Sequence, residues 1–142
     1  MFKFRLEKIL NLRERLEDLK KNEYGIAKKK LLDSCDKNID IRVGNFETLL
    51  PDVITETGTP DFVYVDGNHT YEATMRYFNM LAETRPENMC IVFDDIHWSA
   101  GMSKAWDEIC ASEQVMTSID ILQMGIVLFR TGCQKEFYRV RW

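Results

Sequence analysis

The sequence predicts an α/β domain, and three observations carry that reading. Residues 62–65 and 89–93 are apolar, β-rich runs, and each runs straight into aspartate: Asp66 after the first, Asp94 and Asp95 after the second. Short runs of this kind bounded by turn residues read as buried strands, here spanning 61–66 and 89–94. Between them lie about 20 residues of helical pattern, enough for the crossover that a parallel β-α-β unit requires. In open α/β sheets the ligand lies beyond the carboxyl ends of the strands. That topology brings Asp66, Asp94 and Asp95 to one rim.

The chain has 142 residues, 45% of them hydrophobic and 30% charged, which suits one globular domain with a real core. The net charge of -4 argues against non-specific nucleic-acid binding, which depends on positive charge. The charge is uneven: the first 30 residues hold about twice as many Lys and Arg as Asp and Glu, and the remainder is acidic. No apolar run reaches the roughly 20 residues that span a bilayer, and MFKFRLEKIL is too charged for a signal peptide. Cys35, Cys90, Cys110 and Cys133 are widely spaced and form no Cys-x-x-Cys. They read as reduced packing thiols of a cytoplasmic protein.

Taken in order, residues 4–34 predict a long helix. Ile9, Leu12, Leu16 and Leu19 fall three and four apart, the spacing of a coiled-coil seam. The helix either packs on its own domain or pairs with another chain. It forms an N-terminal segment, 1–34, ahead of an α/β domain, 35–142. Residues 39–43 alternate apolar and polar and predict a strand, followed by a turn at Gly44–Phe46. A short helix follows over 48–54, with Pro51 near its first turn. Thr57–Pro60 reads as a loop. Thr70 is a natural N-cap, and Tyr71, Met75, Phe78 and Leu81 or Ala82 share one face of the helix it starts. Arg85-Pro86 ends that helix. Residues 96–101 read as a loop bearing His97 and Trp98, and Ser103 as the cap of a helix over 104–110. Residues 118–122, 124–130 and 136–142 predict strands, the last two as a terminal hairpin.

The pair of motifs VDGNHTY and FDDIHW, at this separation, resembles the second half of a class I S-adenosylmethionine-dependent methyltransferase. The resemblance is to the small-molecule O-methyltransferase-like group with DG-x-H-x-Y and DD motifs, and it covers residues 26–142. It implies a partial Rossmann-like methyltransferase sheet, mostly parallel with an antiparallel C-terminal hairpin. It implies S-adenosylmethionine as cofactor, with Asn45, Phe46, Asp66 and Gly67 on the cofactor side. It also implies a divalent cation (Mg, Ca or Mn) on Asp66, Asp94 and Asp95, whose hard oxygens suit such ions. His69 becomes the general base, working with Asp66. Tyr71, His97 and Trp98 wall the pocket for a small-molecule hydroxyl acceptor. Each assignment has a structural alternative: Asp66 caps the turn at Gly67, Asp94 and Asp95 cap their loop, His69 enters its helix on backbone bonds, and Trp98 packs.

The chain departs from the family pattern in one respect. The cofactor turn needs glycine, because a Cβ there keeps the backbone away from the ligand, and no Gly-x-Gly precedes Ile39. A family sheet without its first strand leaves strand 61–66 at an edge. Either strand 39–43 moves in beside it or a second chain covers it, so a homo-oligomer is expected. Two functions follow: methyl transfer to a small-molecule hydroxyl, or a non-catalytic, rearranged methyltransferase fragment that serves as an oligomerisation and interaction module.

Overall fold

The computed structural model describes residues 40–84 and 87–140. The helix expected over 4–34 lies outside the described residues. The chain divides into two compact units, 1–43 and 44–142, and the fold below is that of the second.

The described residues form three helices and five strands in the order α1 (Phe46–Thr57), β1 (Phe62–Val65), α2 (Tyr71–Glu83), β2 (Cys90–Phe93), α3 (Ala100–Ala111), β3 (Thr117–Ile121), β4 (Met124–Leu128) and β5 (Glu136–Arg139). The sheet order is β1-β2-β4-β3-β5. β1 and β2 are parallel, β2–β4 and β4–β3 antiparallel, and β3–β5 parallel. Four strands therefore point one way and β4 alone is reversed. Because β4 sits inside the sheet, two of the four pairings are antiparallel, and the α/β sheet is mixed rather than mostly parallel as expected. The β-α-β unit is present: β1 crosses through α2 to β2, in register Phe62↔Cys90 to Val65↔Phe93.

Two strand expectations fail. Residues 40–43 form no strand. A strand exists only as one side of a ladder, and these residues belong to the other unit, where Asp40 and Arg42, two apart, form an ion pair at 2.7 Å. The terminal hairpin joins β3 to β4, rather than 124–130 to 136–142. The two-residue connection Leu122-Gln123 decides this. Leu122 adopts φ 66°, and the Asp120 carboxylate accepts its N–H at 3.2 Å, so β4 folds straight back on β3. The longer connection over 129–135 then carries the chain to the far edge of β3, where β5 runs parallel to it.

Helix boundaries follow the caps. Asn45 accepts the Glu47 N–H through its side chain, so α1 begins at Phe46, two residues before the expected start. Thr70 caps α2 as expected. Ser99 rather than Ser103 caps α3, accepting the Met102 N–H at 3.1 Å, which shortens the preceding loop. The buried face of α2 is Ala73, Thr74, Tyr77, Phe78, Leu81 and Ala82, with Tyr71 and Met75 only half-buried.

The core forms where α2 and α3 meet the sheet, around Phe78, Leu81, Met89, Ile91, Phe93, Ile96, Trp106, Ile109, Val127 and Phe129. Phe78 sits 6.5 Å from Phe93 and 6.3 Å from Phe129, centroid to centroid. Such aromatic pairs contribute about 0.5–1.5 kcal/mol each beyond their burial. Cys90 and Cys110 are half-buried and unoxidised, and burial pushes both thiols up from their ordinary pKa. Cys133 is exposed, which corrects its expected packing role.

Among the described glycines, Gly125 has the least room: a Cβ there would lie 2.4 Å from the Trp106 indole ring. Trp106 is buried and has nowhere to retreat. Gly125→Ala is therefore expected to cost about 1–3 kcal/mol through overpacking, read as a lower urea midpoint with unchanged slope.

Candidate functional site

Parallel pairing ends β1 and β2 at the same level, and the Asp94 N–H continues the ladder by donating to the Val65 carbonyl at 3.0 Å. The next residues of both strands, Asp66 and Asp94, therefore share the rim. Asp95 adopts φ 53° and Asn68 φ 44°, left-handed conformations that short polar side chains tolerate best. One stands in each rim loop, and they re-aim the chain so that His69 and Asp95 meet. His69 Nε2 lies 3.5 Å from Asp66 Oδ1 and 3.7 Å from Asp95 Oδ2. These are ion-pair separations, longer than a hydrogen bond. Non-glycine left-handed residues cluster at functional sites because surrounding structure must hold them there.

Asp94 is turned away from this pair. Its Oδ2 accepts the Tyr64 hydroxyl at 2.8 Å and its Oδ1 accepts the Asp95 N–H at 2.9 Å. The Tyr64 phenol is held above its ordinary pKa by that bond to Asp94, by burial, and then by the charges of Asp94, Asp66 and Asp95. The three aspartates thus share one electrostatic neighbourhood, as the sequence indicated. They do not converge on a point. Among the described residues no three His, Cys, Asp or Glu side chains are grouped to hold a metal ion. The cation expected on Asp66, Asp94 and Asp95 does not fit this donor set, because an imidazole stands between two of the carboxylates and the third is satisfied by a phenol and an amide.

The cofactor-side residues are also partly engaged. Asn45 uses its side-chain oxygen as the cap of α1, accepting the Glu47 N–H at 3.0 Å. The Phe46 ring meets Tyr77 edge-on at 5.6 Å and lies over Gly67, where a Cβ would come within 2.7 Å of it. Gly67 is thus required for Phe46 to close on the end of β1. Phe46 remains 48% exposed and presents aromatic surface beside Asp66.

Of the residues expected to wall an acceptor pocket, Trp98 is 73% exposed. The Tyr71 hydroxyl donates to Glu108 at 2.7 Å, with Lys104 4.4 Å above its ring. His97 points to β3: its Nε2 lies 3.1 Å from Asp120 Oδ2 and its Nδ1 3.4 Å from the Ser103 hydroxyl. Asp120 was not foreseen. It is 2% exposed and also accepts Arg139 Nε at 2.9 Å from β5. Burial alone would raise its carboxyl, but the hydrogen bonds from His97 and Arg139 outweigh it and hold the pKa below the usual carboxylate range. The signal for it was a charge on the inward phase of the strand Thr117–Ile121, where Ser118 and Asp120 alternate with outward residues.

Residues 10–96, more than half of the chain, match a family model described as a methyltransferase domain. The chain belongs to this family. The matched span of this methyltransferase domain includes Asp66, Gly67, His69, Asp94 and Asp95, and it ends at Ile96, before His97 and the β3–β4–β5 part of the sheet. Neither curated proteins nor solved structures give a significant match. Among the described residues no helix is long and apolar enough to cross a membrane.

The Asp120 cluster predicts an acid response. A carboxyl with a lowered folded pKa stabilises the fold above its unfolded value, near 4, and that stability is lost as pH falls through the folded value. Asp120→Asn is expected to lose about 1.5–3 kcal/mol at pH 7, the range for hydrogen bonds to a charged group. Its stability should then fall less steeply than wild type below pH 4, measured by urea titration at each pH.

Proposed function

We propose that this methyltransferase domain transfers a methyl group from S-adenosylmethionine to a hydroxyl of a small molecule, with His69 as general base. The observation that carries this is His69 held between Asp66 and Asp95 at the strand rim. S-adenosylmethionine supplies an electrophilic methyl group on a sulfonium. His69 takes the hydroxyl proton as the oxygen becomes nucleophilic, and the positive charge gained stands within ion-pair distance of two carboxylates. Asp66 and Asp95 thereby orient the ring and balance its charge. Phe46 offers a stacking face for the adenine, next to Gly67 and Asp66. Trp98 covers the acceptor from the loop after β2. Assignment to the small-molecule O-methyltransferase group rests on the DGNHTY and DDIHW motifs. No step is routed through a cation.

The test is methyl transfer from S-adenosylmethionine to a panel of small hydroxyl acceptors. His69→Gln is expected to lower kcat by about 10²–10⁴-fold, the range for a lost general base, with donor affinity unchanged. Full activity in that variant would remove His69 from the mechanism.

A second reading is favoured by two observations: the seven glycines include no Gly-x-Gly, and β1 is apolar yet open, with Phe62 60% exposed. Here the domain is a non-catalytic scaffold that associates with a second copy, and β1 is the associating edge. On this reading the protein sediments as a dimer at micromolar concentration, and Phe62→Lys shifts it to monomer. An unchanged monomer for both would dismiss the reading.

A further inference from the structure

We infer that Asp120 is a positioning residue for the His69 site, acting through the β2–α3 loop; the inference rests on the reading of His69 as the base. One buried carboxylate fixes two things at once. Its Oδ2 receives His97 Nε2 at 3.1 Å and Arg139 Nε at 2.9 Å, which ties the loop after β2 to β3 and β5. That contact fixes the His97 ring, whose Nδ1 lies 3.4 Å from the Ser103 hydroxyl. Its Oδ1 accepts the Leu122 N–H and so shapes the β3–β4 turn. The Gln123 carbonyl of that same turn receives the Ile96 N–H at 2.9 Å.

Asp95 is thus followed by two pinned residues: Ile96, buried at 1% exposure and held by the turn, and His97, held by the carboxylate itself. Asp95 occupies a left-handed conformation at φ 53°, which a free loop does not keep. The two pins supply the constraint. They keep the Asp95 carboxylate 3.7 Å from His69 Nε2 on the other rim loop. Asp120 touches neither His69 nor Asp95 through any of its recorded bonds, and its effect on them passes through Ile96 and His97. The cluster is built from two strands, the β3–β4 turn, the β2–α3 loop and the first turns of α3, which lie distant in sequence, and Asp120 is the acid that joins them.

The chain has two histidines, His69 and His97, so their ring signals are separable by NMR in the whole protein. Asp120→Ala is expected to move the His69 ring signals as well as those of His97. The Ile96 amide should exchange at least tenfold faster than the shared loss of stability, read from the core amides Ile91 and Val92 in β2, accounts for. A role limited to global stability would speed all these amides together and leave the His69 ring unchanged in the folded fraction; that result overturns the inference. Where Asp120→Ala does not fold, His97→Leu removes the loop pin and leaves the Asp120–Arg139 pair intact. It should again move the His69 signals and speed Ile96 exchange, and wild-type values for both overturn the inference. Both readouts are taken without donor or acceptor, so they stand apart from the methyl-transfer assay: a chain that transfers no methyl group can still show the coupling, and an active one can lack it.

Discussion

The in-register parallel pairing of β1 with β2 is the constraint on which the site depends. Because Val65 and Phe93 are partners, the residues after them leave the sheet at one height, and Asp66 and Asp94 cannot avoid each other. Placing carboxylates together costs Coulomb energy, and the fold offsets it in three ways. Asp94 takes two donors, Tyr64 and the Asp95 amide. Asp66 and Asp95 share an imidazole. The fourth acid of this end of the sheet, Asp120, is buried against Arg139 and His97.

The rim has two tiers. The outer tier, Asp66, His69 and Asp95, is partly open to solvent, and its imidazole is held by the two rim carboxylates. The inner tier, Asp120 with His97, Arg139 and Ser103, ties the loop after β2 to β3 and β5. A functional site needs groups held by others that are themselves fixed, and the division of the two histidines between the tiers reflects that need. The family match ends where the inner tier begins, at Ile96.

Much of this was legible in the amino-acid sequence, for identifiable reasons. The two apolar runs ending in aspartate gave β1, β2 and their shared rim, but the burial they imply holds only for β2. A strand covered on both faces leaves a continuous apolar signature, and β1 carries the same signature at a half-open edge. The Thr70 cap was equally visible. What failed depended on partners that sequence does not show. Residues 40–43 alternate like a strand but have no place in the sheet described. β5 was read as the mate of β4, since neighbours in sequence usually pair, but the tight turn at Leu122 joined β4 to β3 first. Ser103 was taken as a cap because it precedes the helical pattern, yet Ser99 had the geometry to start the helix a turn earlier. The three aspartates start at one end as the spacing indicates but do not converge on a point, because spacing says where a side chain starts and not which way the loop turns it. Asp95 at φ 53° could not be read from the letters DD.

The central claim is that the rim serves S-adenosylmethionine chemistry, and isothermal titration of the protein with S-adenosylhomocysteine tests it most directly. Binding with a Kd in the micromolar range, about -8 kcal/mol, is the expected result, and it would mean that a donor site exists in a chain without a Gly-x-Gly turn. No heat at millimolar ligand would contradict the claim and leave the domain as a methyltransferase scaffold without its cofactor.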